Sequence, residues 1–127
     1  MEIRTGYFAQ TKKYESLGYM PISIALRTPD WFDGLKTTGL SPNNVLLGKF
    51  KNKEITEENF KVFYLAGLKP SVIEMYIEAW SECCDIDSTI KGVVLMCYEK
   101  PESVCHRHYL AEYITKEYGI EVTELVV

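Results

Sequence analysis

Val93 to Cys97 form an unbroken apolar run within "KGVVLMCYE". A strand with one wetted face alternates apolar and polar residues, so a run without alternation suits a strand covered on both faces, as in parallel sheets. Parallel strands need crossover connections, usually helices, and the sequence supplies them on both sides. "TEENFKVFYLAGL" places Phe60, Phe63, Tyr64 and Leu68 on one helical stripe, with Thr56 as cap and acids in the first turn. "SVIEMYIEAWSECC" repeats the pattern with Val72, Ile73, Tyr76, Ile77, Trp80 and Cys84. Ser71 and Glu74 read as a capping box, and Pro70 separates the two helices. After the run, a helix from about Ser103 to Tyr118 turns Leu110, Tyr113 and Ile114 inward and ends at Gly119 in a left-handed cap.

Further strands are expected at Glu2–Thr5, in "MPISIAL", where Ile22, Ile24 and Leu26 alternate with Ser23 and Ala25, and in the closing "IEVTELVV". Thr28 and Pro29 predict a short helix reaching Gly34. Residues 36–55 read as loop with one helical turn after Pro42, and a loop that long is more often functional than idle. The expected architecture is a three-layer α/β domain over residues 1–127, its mainly parallel central sheet of about four strands flanked by helices. At 127 residues, with 46% apolar and 25% charged, one core is affordable without staples.

Net charge and segment lengths narrow the partners. A net charge of −4 disfavours bulk attraction to nucleic acid or an anionic membrane. The lysines of "GKFKNKE" make either a solvated loop or a local binding patch. No stretch approaches the apolar length of a membrane span, and the opening residues lack a signal-peptide pattern, so a cytoplasmic location and reduced thiols are expected. Adjacent Cys83 and Cys84 cannot bridge without strain, and the spacing of Cys97 and Cys105 matches no zinc motif. Accordingly, neither a disulfide nor a metal site nor any other cofactor is expected.

The chemistry concentrates at "CYEKPESVCHRHYL", residues 97–110. Ligands in open α/β sheets sit beyond the carboxyl ends of the strands. Parallel pairing brings three such ends together: Thr5 to Phe8, Arg27 to Trp31, and Tyr98 to Arg107. Cys105 falls where the first turn of a helix favours an anion, which lowers a thiol pKa from about 8.5 to roughly 3.5–7.5. It reads as a nucleophile, as the wall of an anion site, or as a small apolar core residue. Arg107 suits bidentate capture of an oxyanion, or an internal pair with Glu99 that ties the loop to the helix. His106 and His108 lie about 200° apart on a helix, so only one faces a given pocket. Cys97, inside the apolar run, reads as inert.

"CYEKPESVCHRHYLAEYI" closely resembles the signature of the domain of unknown function 488 family. "RTGYFAQ", "PISIALRTPDWF" and "KNKEITEENF" resemble its first strand and loop, its second strand and its approach to the helical part. Relatives often carry a serine where this chain has Gly6. The resemblance implies an α/β fold and a Cys-His-Arg site, without an established activity. In rhodanese and cysteine-phosphatase loops several residues separate cysteine from arginine; here Arg107 follows Cys105 by two, so neither loop forms in its usual way.

Two functions are consistent with these residues. One is an enzyme acting on a small anionic, phosphate- or nucleotide-like substrate. In it Cys105, Glu99 and Arg107 are catalytic, and His106, Arg27, Thr5, Tyr7 and Trp31 bind the ligand. The other is a non-catalytic module that binds a nucleotide or a nucleic-acid end.

Overall fold

The computed structural model describes residues 1–98 and 105–127. Among these, strands β1 (Glu2–Tyr7), β2 (Tyr19–Ser23), β3 (Leu35–Lys36), β4 (Gly92–Cys97) and β5 (Val122–Glu124) make one sheet. Its order is β3-β2-β4-β1-β5, and every pairing is parallel. Helices α1 (Thr11–Ser16), α2 (Asn44–Lys51), α3 (Glu57–Gly67), α4 (Pro70–Ile86) and α5 (His106–Tyr118) flank it, giving the three-layer α/β architecture. The sheet exceeds the expected four strands by the two-residue β3.

β4 is the central strand, buried along its whole length between β1 and β2. Val93 and Leu95 face a large core with Ile3, Ile22, Phe60, Tyr64, Trp80, Leu110 and Ile114, to which α2 through α5 contribute. Val94 and Met96 face a smaller core on the opposite side, with Phe8, Tyr14, Tyr19 and Phe32. A strand with a core on each face has no position at which a polar residue would meet water, which is why its sequence does not alternate. Each such aliphatic side chain contributes about 1.5–3 kcal/mol by burial.

Local chemistry sets most helix ends. Thr56 accepts from the Asn59 N–H at 3.1 Å, so α3 starts where its cap predicts. Gly119 closes α5 at φ 67°, in the left-handed region. Gly6 has another purpose: a Cβ there would lie 2.6 Å from the Tyr14 ring, which packs against the strand at that point.

Elsewhere the chain departs from expectation. Thr28 starts no helix, because its hydroxyl lies 2.7 Å from Ser23 Oγ and ties the loop to β2. Only a turn forms, closed by the Phe32 N–H donating to the Pro29 carbonyl at 3.0 Å. Residues 44–51 are a full helix rather than loop, nucleated by Asn43, whose side chain accepts from the Leu46 N–H at 2.7 Å. The Ser71–Glu74 box is not the start of α4; Lys69 holds the N-cap position and Pro70 occupies the first turn. The start of α5 is His106 among the described residues, and Ser103 lies outside them.

Candidate functional site

β2 and β4 are neighbours and parallel, so their carboxyl ends share one edge of the sheet. From β2 the chain runs outward to β3; from β4 it runs through α5 to β5, on the far side of β1. Strands whose continuations part in this way leave a crevice between their ends. A cleft of about 330 Å³ occupies it, lined by Ala25 to Arg27 after β2, by Cys97 and Tyr98 after β4, and by Cys105 and His106. α2 closes the other side with Asn44, Phe50 and Lys51, and Phe60 of α3 completes the wall. Phe50 and Phe60 stack at 4.3 Å, giving the cleft a flat apolar surface. Arg27 and Lys51 are exposed and place two cations at its margin.

Cys97 and Cys105 are disulfide-bonded. This overturns the expectation of unpaired thiols and of an inert Cys97. The reason is three-dimensional: the fold brings the last residue of β4 against the N-cap of α5. An eight-residue separation does not reveal that juxtaposition. His106 stands beside the pair, its Nδ1 4.0 Å from Cys105 Sγ. Its Nε2 is 2.7 Å from the Ile24 carbonyl oxygen, which can only accept, so Nε2 carries the proton and the neutral ring keeps its lone pair on Nδ1. Burial pushes the His106 pKa down to about 4, and the Arg107 charge acts in the same direction. The ring is therefore neutral at physiological pH.

Cys97 Sγ, Cys105 Sγ and His106 Nδ1 or Nε2 lie within 4.8 Å of one another, and among the described residues this is the group able to hold a metal. Two thiolates and an imidazole make a donor set that zinc accepts, once the sulfurs are reduced. The spacing of these residues fits no familiar zinc motif, so the sequence argues against a metal where the fold brings the three together.

Arg107 turns the other way. It is fully buried and does not line the cleft. Its Nε and Nη2 donate to the two oxygens of Glu124 at 3.1 and 3.3 Å, and Nη1 donates to Cys97 Sγ at 2.9 Å. Thr5 donates its hydroxyl to Glu124 at 2.7 Å and completes the network. The expectation that the sulfur of Cys105 and the guanidinium of Arg107 open onto one hollow is corrected: Cys105 lines the cleft, whereas Arg107 does not and bonds instead to Glu124 and to Cys97. Glu99, the expected partner of Arg107, lies outside the described residues; Glu124 is a carboxylate that pairs with it.

The remaining candidates divide between regions. Arg27 and His106 line the cleft, whereas Thr5 lies with His108 and Glu124 in a shallow hollow elsewhere. The Tyr7 hydroxyl accepts from Gln10 Nε2 at 3.2 Å and is not part of the cleft wall. Trp31 is 63% exposed and meets Phe8 edge-on at 6.3 Å; Phe8 in turn meets Tyr98 at 5.0 Å. Trp31 is therefore separated from the cleft wall by one aromatic ring. Sequence reasoning missed Cys97, Glu124 and Asn44. Lys51 was visible only as one lysine of a basic run.

A parallel sheet, a crevice where the chain directions part, and a cysteine pair at its floor define an α/β protein with a sulfur-bearing cleft. The chain belongs to the DUF488-N3a family, the active DUF488-N3 subclade, whose model matches residues 19–118. That span contains every residue lining the cleft, whereas Thr5 and Glu124 fall outside it. The chain matches no curated protein and no solved structure.

Proposed function

We propose that this protein is an enzyme acting on a small anionic, phosphate- or nucleotide-like substrate, with the Cys105 sulfur as its reacting atom. One observation carries the reading: Cys105 at the start of α5 and the cations Arg27 and Lys51 line the same cleft. In the reduced protein, the helix N-terminus favours the thiolate form of Cys105. Neutral His106 adds no positive charge, but its Nδ1 lone pair can accept a hydrogen bond from the thiol. Arg27 and Lys51 hold the anionic group, and the stacked Phe50 and Phe60 receive an apolar or aromatic body. The anion-holding role thus passes from Arg107 to residues of the cleft margin. Glu99 is the candidate general acid or base of this reading.

A second reading, a non-catalytic nucleotide-binding module, draws support from the burial of both sulfurs, Cys97 at 1% and Cys105 at 3% exposure. Isothermal titration with nucleotides and inorganic phosphate, paired with turnover assays, separates the two. For the enzyme, Cys105→Ala abolishes turnover and retains binding, whereas Arg27→Ala weakens binding. Unchanged turnover in Cys105→Ala would remove the sulfur from the reaction, and binding without turnover in the wild type would leave only the binding module.

A further inference from the structure

We propose that Cys97 is the resolving thiol for Cys105 and that the cleft carries out thiol–disulfide exchange on a small anionic disulfide. The inference rests on the reading of Cys105 as the reacting sulfur and names the substrate class for that site.

The two sulfurs are bonded, yet their surroundings differ in the way an exchange pair requires. Cys105 caps a helix at the floor of the cleft, the position that favours an attacking thiolate. Cys97 ends the central strand, and the Nη1 of buried Arg107 donates to its sulfur. A guanidinium gains little from a neutral disulfide sulfur, but it makes a charge-assisted hydrogen bond to a thiolate. Glu124 fixes the guanidinium through two oxygens, and Thr5 fixes Glu124. A buried cationic donor is thereby held against a sulfur that bears charge only when the pair is open. Arg107 is a positioning residue, acting through Cys97, and the substrate's charge is met instead by Arg27 and Lys51.

The exchange proceeds in two balanced steps. The Cys105 thiolate attacks one sulfur of the substrate disulfide; a bond forms to Cys105, the substrate S–S bond breaks, and the first thiolate leaves and takes a proton from water. The Cys97 thiolate then attacks the Cys105 sulfur, forming the Cys97–Cys105 bond and expelling the second thiolate. The substrate disulfide is reduced to two thiols while the protein dithiol is oxidised to the disulfide. A dithiol co-substrate reverses the protein oxidation and is itself oxidised.

The test uses full-length reduced protein in a Cys83→Ser/Cys84→Ser background, since those half-buried thiols of α4 would otherwise react. The probes are 5,5′-dithiobis(2-nitrobenzoate), an anionic aromatic disulfide, and uncharged 2,2′-dithiodipyridine. The parent protein is expected to release two equivalents of aryl thiolate per chain, ending with the intramolecular disulfide. Cys97→Ser is expected to release one equivalent and to hold a mixed disulfide on Cys105, visible by intact mass. Cys105→Ser should react at least about tenfold more slowly. Arg27→Ala should lower the preference for the anionic probe over the neutral one.

A mixed disulfide persisting in the parent protein would overturn the resolving role of Cys97 while leaving Cys105 reactive. Equal rates for parent and Cys105→Ser would overturn both this inference and the reading beneath it. Stoichiometric zinc in the reduced protein, blocking both thiols, would overturn the exchange and assign the same three residues to a metal.

Discussion

His106 and Arg107 are consecutive, yet they belong to different parts of the molecule. His106 looks into the cleft and is tied to the end of β2 through the Ile24 carbonyl. Arg107 does not line the cleft and is bonded to Glu124 of β5 and to Cys97 of β4. One side is an opening with cations at its margin; the other is an ion pair whose guanidinium is fully buried. The Cys-His-Arg motif is thus divided over one helical turn, His106 lining the cleft and Arg107 bonded to Glu124 and Cys97. Mutations of the exposed cleft margin should appear in binding, and those of the buried groups on either side in stability.

The largest effect belongs to the buried ion pair. Arg107→Met leaves the Glu124 carboxylate without its cation and should cost about 3–5 kcal/mol in chemical denaturation. Glu124→Gln tests the same pair from its other member: it leaves the fully buried Arg107 guanidinium without its counter-charge and should destabilise by a similar amount. Wild-type stability in either variant would show that the buried pair does not hold the turn.

His106 gives the next effect, expressed through pH. Its pKa is about 4 in the folded protein against an ordinary 6.5, so the unfolded chain binds the extra proton first as pH falls. Stability from this group is complete above pH 6.5, falls between 6.5 and 4, and is lost below 4. The total is on the order of 3 kcal/mol. Unfolding curves across this window should be steeper in pH for the wild type than for His106→Asn; equal slopes would contradict a buried neutral ring.

Smaller effects follow. Asn43→Ala removes the cap of α2, the helix that carries Lys51 and Phe50 into the cleft wall, and should cost about 1 kcal/mol while loosening ligand binding. Arg27→Ala, on the exposed margin, should change stability by no more than about 0.5 kcal/mol. Its consequence should appear in affinity for anionic ligands, measured by titration.

The same contrast explains what the sequence could reveal. Local signals were legible: the unbroken Val93–Cys97 run, the Thr56 cap of α3 and the left-handed Gly119 each depend on a few neighbouring residues. The mutual orientation of His106 and His108 follows from helix geometry alone, and the structure puts one in the cleft and the other in the hollow beside Glu124. Long-range partners were not legible. The cysteine pair needs the register of β4 against the start of α5, and Glu124, which alternation puts on one face with Ile120 and Val122, meets Arg107 only through the pairing of β5 with β1. Thr28 carries the signal of a cap but is taken by Ser23. α2 hides behind Gly48 and a lysine run that read as loop, although the Asn43 cap is decisive once its partner is known.

The central claim is that Cys105 is a reactive sulfur at the floor of the cleft. Its most direct test is the rate of alkylation by iodoacetamide against pH, on reduced protein carrying Cys83→Ser, Cys84→Ser and Cys97→Ser so that only Cys105 reports. The account predicts a titration midpoint within roughly 3.5–7.5. A midpoint at or above the value of about 8.5 for free cysteine would contradict it.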